Sequence, residues 1–171
     1  MATIRRAIAT DAANLTKVGK VSFAQTFGHL YPAQDLEDYL GSAHTEQAYA
    51  HWITAAAYGV WVVEDQPAGR LIGYALTGPC DLPHAQATPA CGELKRLYLL
   101  ADAQGQGLGT QLLSACLDHL TQPGRRLWIG VWSENLGAQR LYARHGFEKV
   151  GEYEFPVGAT RDREFILSRL A

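Results

Sequence analysis

The stretch from Leu94 to Leu120 holds the residues best spaced to do chemistry: an apolar run breaks at Gln104-Gly105-Gln106-Gly107-Leu108-Gly109, and a helical period starts behind it. Ahead of the glycines, Leu94, Leu97, Tyr98, Leu99 and Leu100 read as a largely buried strand. Behind them Leu108, Leu112, Leu113, Ala115, Cys116 and Leu117 recur at the steps of a helix with one buried face. The glycines therefore sit at a strand-to-helix turn. Residues without Cβ let main-chain N–H groups approach a ligand, and the helix start adds roughly half a positive charge. That chemistry suits a pyrophosphate. A Walker loop is excluded, because Thr110-Gln111 follows Gly109 and no lysine lies between Lys95 and Lys149. The dinucleotide fingerprint G-x-G-x-x-G is not met either, since the spacing is G-x-G-x-G. On these six residues alone, a plain turn joining two elements stays open.

Gln104-x-x-Gly107-x-Gly109 resembles the acyl-CoA pyrophosphate motif, Gln/Arg-x-x-Gly-x-Gly/Ala, of the GNAT superfamily of N-acetyltransferases. Two more segments are similar in order: Glu93-Leu94-Lys95-Arg96-Leu97-Tyr98-Leu99 in front, and Asn135-Leu136-Gly137-Ala138-Gln139-Arg140-Leu141-Tyr142-Ala143-Arg144-His145-Gly146-Phe147 behind. The resemblance covers about Val60 to Leu170. It implies acetyl-CoA as co-substrate and an α/β (α+β) GNAT fold: a mixed, mostly antiparallel sheet with a central parallel pair of strands that splay apart, flanked by helices. It also implies that Gln104, Gly105, Gln106, Gly107, Leu108, Gly109 and Thr110 hold the pyrophosphate. Backbone groups of Leu97, Tyr98 and Leu99 would then face the thioester oxygen and the pantetheine amides. Asn135, a helix cap by position, would bond the pantetheine arm. Arg144 reads as a surface arginine or a contact to a CoA phosphate.

The same resemblance gives two residues reactive roles. Glu93, eleven residues before Gln104, stands where many members carry a general-base glutamate. An alkyl ammonium of pKa about 10.4 is free amine only about one part in 2,500 at pH 7, so a carboxylate that takes the proton answers a real deficit. Tyr142, in Leu141-Tyr142-x-x-x-Gly146-Phe147, stands where the family places a tyrosine whose hydroxyl reaches the CoA sulfur. A phenol near pKa 10 can donate to a thiolate without being ionised at neutral pH. The plain alternatives are a solvent-facing strand residue for Glu93 and a core aromatic for Tyr142.

In the first third, Phe23-x-x-Thr26-Phe27, Tyr31, Asp35-Leu36-x-x-Tyr39-Leu40 and Thr45-Glu46-Gln47 resemble the Pai-type bacterial spermidine/spermine acetyltransferases. So do Trp128 to Asn135 and Phe155-x-x-Gly158. The implied acceptor is a small-molecule primary amine, a polyamine foremost, with Phe27, Tyr31, Asp35 and Glu93 in its site. Asp35, Glu37, Asp38 and Glu46 supply acid, and Tyr31 and Tyr39 supply aromatic faces for alkylammonium groups. A protein or peptide amine remains an alternative acceptor. A CoA-sensing regulatory module without turnover is the rival class, and the presence of both Glu93 and Tyr142 favours the enzyme.

The remaining residues position these groups. A strand over Thr3–Ala7 is expected, then Thr10 as the cap of a helix from about Asp11 to Phe27, and helices over Ala33–Ala43 and Glu46–Ala57. Strands Val60–Glu64 and Leu71–Thr77 form a hairpin through Asp65–Gly69, and Gly78–Ala90, with three prolines, is a loop over the sheet edge or the mouth of a site. Strand Arg126–Trp132, a helix Asn135–His145, and strands Phe147–Phe155 and Arg163–Leu167 complete the chain. Residues 1–171 read as one acetyltransferase domain, 1–57 covering the acceptor site and 60–170 forming the acetyl-CoA-binding core.

At 47% hydrophobic and 19% charged residues the composition is globular, and a formal charge of −2 without a basic run argues against nucleic acid as partner. No signal-peptide core and no run of eighteen apolar residues occurs, so a soluble, cytoplasmic protein without a membrane partner is expected. Cys80, Cys91 and Cys116 and the six scattered histidines lack metal-ligand spacing, which leaves no metal expected. Trp61, Trp128 and Trp132 leave a monomer and a homodimer equally open.

Overall fold

A computed structural model describes all residues, 1–171. Its strands are β1 (Ala2–Arg6), β2 (Gly59–Asp65), β3 (Arg70–Pro79), β4 (Gly92–Leu99), β5 (Arg126–Trp132), β6 (Glu148–Val157) and β7 (Thr160–Leu170). The helices are α1 (Ala12–Phe27), α2 (Ala33–Ala43), α3 (Glu46–Thr54), α4 (Leu108–Leu120) and α5 (Leu136–Arg144). One seven-stranded sheet runs in the order β1-β2-β3-β4-β5-β7-β6. Every neighbouring pair is antiparallel except β4 and β5. This is the mixed, mostly antiparallel sheet with a central parallel pair that the sequence implied.

The periodic residues bury as their spacing requires. On one sheet face Leu108, Leu112, Leu113, Cys116, Leu117 and Leu120 of α4 are buried, in a core shared with Trp61, Leu94 and Leu127, His119 lying against the Trp61 ring. Removing each such leucine from water contributes about 1.5–3 kcal/mol. On the other face α1 buries Leu15, Val18 and Phe23, and α2 and α3 complete the cover.

Three boundaries differ from expectation. Thr10 is not the helix cap: it lies in a 3₁₀ turn, and the Asp11 carboxylate instead accepts the Ile8 N–H at 2.8 Å and the Arg5 guanidinium at 2.7 Å. The third helix stops at Thr54, short of Ala57, because Ala55 is extended and Tyr58 turns back to pack on His51; this contact overrides the helix preference of the alanines. The last two strands run longer than expected, paired down to the Val157–Thr160 turn. The proline-rich segment is a packed cover, with Cys80 and Leu82 buried against Trp128 and Ile166.

Candidate active site

The site forms where β4 and β5 part. Gly92, Glu93 and Leu94 pair with Leu127, Trp128 and Ile129, and neither strand pairs with the other beyond that point. A bulge accompanies the parting: Leu76 of β3 pairs with Arg96 and Thr77 with Leu94, so Lys95 is an extra residue in β4. Bulges bend the strand that carries them. The resulting wedge is a cavity of about 550 Å³. The Leu100 N–H goes to Ile72 O on the β3 side at 2.9 Å, so by strand alternation Leu97 and Leu99 turn their N–H groups into the gap.

Glu93 and Tyr142 both line this cavity. The Glu93 carboxylate is buried, and both of its protein bonds fall on Oε2: the Asp81 N–H at 3.1 Å and Lys95 Nζ at 3.0 Å. Oε1 is left for a ligand. Burial pushes the Glu93 carboxyl above its ordinary value, and the Lys95 charge opposes this only in part. Lys95 is itself held above its usual value, because Glu93 and Asp81 together outweigh its burial. Tyr142 projects from α5, packs edge-on to Phe147 with ring centroids 6.5 Å apart, and has its phenol pushed up by burial. No protein group takes its hydroxyl hydrogen bond. Asn135 caps α5 by accepting the Ala138 N–H at 3.1 Å, and it also lines the cavity.

The glycine loop lies at the start of α4, beyond the cavity lining. Gly105 and Gly107 adopt φ of +75° and +78°, a conformation costly for any residue with a Cβ. The first bond inside α4 runs from Gln111 N to Gly107 O at 3.2 Å. The amides of Leu108, Gly109 and Thr110 therefore have no acceptor within the helix. Gln104 folds back, its Nε2 donating to Leu99 O at 3.2 Å. Gln106 likewise caps Asp102 O at 3.1 Å.

The acceptor side is less like the expectation. Phe27 and Tyr31 line the cavity, and the Tyr31 hydroxyl donates to the Asp162 carboxylate on β7. Asp35 does not line it: its carboxylate lies over Gly158 and accepts the Ala159 N–H at 3.4 Å, tying α2 to the β6–β7 turn. Glu37, Asp38 and Glu46 are exposed on their helices. The cavity draws its charge instead from Asp81, Glu93, Lys95, Arg96 and Glu164. Of these the sequence singled out only Glu93. Arg96 donates to Ala43 O at 3.0 Å and Tyr49 Oη at 3.2 Å, and lies over the Trp52 ring at 4.9 Å. No helix is long and apolar enough to cross a membrane.

A sheet parted in this way, with a glycine turn opening the helix behind it, is the layout of an acyl-transferring domain. Residues 24–147 match the acetyltransferase (GNAT) family model, and the chain belongs to that family of N-acetyltransferases. It is 27% identical over 165 residues to an N-acetyltransferase of Lactobacillus delbrueckii subsp. lactis, covering 93% of this chain and 91% of that one. A spermine/spermidine N(1)-acetyltransferase of Bacillus subtilis is 33% identical over 91 residues, 51% of this chain and 59% of the relative. The crystal structure of a PaiA N-acetyltransferase from Thermoplasma acidophilum in complex with coenzyme A shares the fold. Its TM-score is 0.76 at 17% identity, over 100% of this chain and 99% of that one.

Proposed function

We propose that this chain transfers the acetyl group of acetyl-CoA to a primary amine of a small molecule, by direct attack within a ternary complex, and that polyamines such as spermidine and spermine are its favoured acceptors. The observation that carries this reading is one shared wedge. Glu93 and Tyr142 line the same cavity, so a proton acceptor and a proton donor share the place where a thioester would lie.

The donor fits the residues present. Unpaired amides at the start of α4 suit a pyrophosphate, and the free edge of β4 suits the amides of a pantetheine arm. Asn135 Nδ2 remains available to the same arm. Acetyl-CoA supplies an activated acyl carbon. Glu93 Oε1 takes the proton of the attacking amine, directly or through water. The amides of Leu97 and Leu99 face the oxygen that becomes negative, and Tyr142 protonates the departing sulfur. Residues 1–171 act as one domain, in which residues 1–57 roof the acceptor chamber and 60–170 hold the donor.

The local likeness to a spermine/spermidine acetyltransferase supports a polyamine acceptor, as do the three carboxylates of the chamber. Its apolar lining, with Phe27, Tyr31, Leu82 and Pro83, suits the alkyl chain of such an amine. The test is titration with coenzyme A, followed by thiol release from acetyl-CoA across a panel of amines. Amine-dependent release, largest with spermidine or spermine, is expected. No coenzyme A binding at millimolar concentration would refute the donor site, and release indifferent to amines would refute the transfer.

A further inference from the structure

Glu164 stands apart from the other acids of the cavity. Asp81 and Glu93 each lie 3.0 Å from Lys95, whereas Glu164 has no lysine or arginine within ion-pair distance. Its carboxylate accepts only the Tyr153 hydroxyl, 2.8 Å from Oε2, which leaves Oε1 free. Arg96 does not compensate it, being engaged by Ala43, Tyr49 and His44 on the side of α3.

The sheet register explains where this carboxylate points. On β7, Glu164 is opposite Tyr153 of β6 and Trp132 of β5, and all three line the cavity. A Cβ added at Gly130 would come 3.3 Å from Glu164 Oε2 and 3.2 Å from Tyr153 Oη. Gly130 directly follows Ile129, the last residue of β5 paired with β4. Glu164 thus faces the mouth of the wedge, on the other side of the parted strands from Glu93. Tyr31, Tyr39, Tyr98 and Phe155 line the same cavity, and aromatic faces favour a cation. Burial and the neighbouring Asp162 push the Glu164 carboxyl up, while the Tyr153 hydrogen bond opposes them by favouring the ionised form. Even a half-buried carboxylate is costly without a counter-charge, and a bound ammonium removes that cost.

We infer that Glu164, oriented by Tyr153, receives a second ammonium group of the acceptor while the first reacts beside Glu93, so that diamines and polyamines are selected over monoamines of equal length. This deepens the amine-acetylation reading above and rests on it.

The test compares diaminobutane with butylamine in steady-state acetylation by the wild type and by Glu164→Gln. The ratio of kcat/KM for diamine over monoamine should fall about 10- to 100-fold in the variant, the loss expected for a hydrogen bond to a charged group. The change should lie in the KM for the diamine. The KM for acetyl-CoA and the melting temperature report on folding, and Glu164→Asp, which keeps the charge on a shorter arm, should retain part of the preference. If both amines lose activity in parallel, or if the ratio does not move, Glu164 has been misassigned although amine acetylation stands. A wild type that neither acetylates nor binds either amine in calorimetry overturns both readings.

Discussion

Replacing Glu93 by glutamine isolates the proton-accepting step. Glutamine keeps the volume and an oxygen for the Asp81 N–H, which lies 3.1 Å from the carboxylate, but it cannot take a proton. In the wild type, kcat/KM should fall as pH drops through the Glu93 pKa and hold a plateau above it. Because burial raises that pKa, the acid limb should lie above the range of an ordinary glutamate. In the variant only amine already free in solution reacts, so kcat/KM should climb tenfold per pH unit towards the amine pKa. With an amine of pKa about 10.4, the deficit relative to wild type is about 2,500-fold at pH 7, or about 4.6 kcal/mol, falling to about 25-fold at pH 9. This sits within the range of about 10²–10⁴ for general-base catalysis. The assay is thiol release from acetyl-CoA at constant ionic strength from about pH 6 to about 10. Lys95 keeps Asp81 at 3.0 Å as a partner, so the variant should remain folded, which a thermal melt checks. Parallel profiles for the two proteins would refute the role given to Glu93.

Tyr142→Phe should lower kcat about 10- to 100-fold with little change in the KM for acetyl-CoA; its melting temperature should hold, because the hydroxyl bonds no protein group, and an unchanged kcat would remove Tyr142 from the reaction. Gly107→Ala forces a Cβ into φ of +78° and should cost about 1–2 kcal/mol of stability as well as coenzyme A affinity. Gly109→Ala meets only Leu99 and Leu141, at 3.8 and 4.0 Å, so it should melt like the wild type and lose affinity alone; unchanged binding in calorimetry would displace the pyrophosphate from this turn. Burial, with Arg96 and Lys20 adding, lowers the His44 pKa to about 3. Between the unfolded value near 6.5 and that figure only the unfolded chain takes up the proton, so stability should drop by about 2 kcal/mol from pH 7 to pH 5, or about 4–8 °C in Tm. His44→Gln should flatten that slope, and equal slopes would refute the assignment.

The elements proposed to hold the donor were legible because local chemistry and tertiary packing agree there. Leu108 to Leu117 repeat at helical steps and face a single core, and Gly105 and Gly107 mark the left-handed turn that only glycine enters cheaply. The acceptor side was legible only in part, because its charges come from several distant elements. Phe27 and Tyr31 came from the resemblance to the Pai-type acetyltransferases, and both line the cavity. Asp35 followed the same pattern, yet its side chain ties α2 to the β6–β7 turn. Glu164 carries no local signal: it sits in an ordinary polar-apolar strand, and only the placing of β7 between β5 and β6 turns it towards the wedge.

Arg96 was missed for a different reason, and it bears on the chemistry. Strict alternation along β4 would set Glu93 and Lys95 on one face and Arg96 and Tyr98 on the other. The bulge at Lys95 cancels that rule. Lys95 reaches Glu93 while Arg96 reaches Tyr49 and His44 under α3, so Glu93, Lys95 and Arg96 share one side. The extra residue thus turns Arg96 to the side already shared by Glu93 and Lys95 and sets a second cation at the helical end of the chamber, leaving Glu164 without a counter-charge at its far end. Deleting Lys95 would restore the alternation along β4 and remove the counter-charge of Glu93 in a single step.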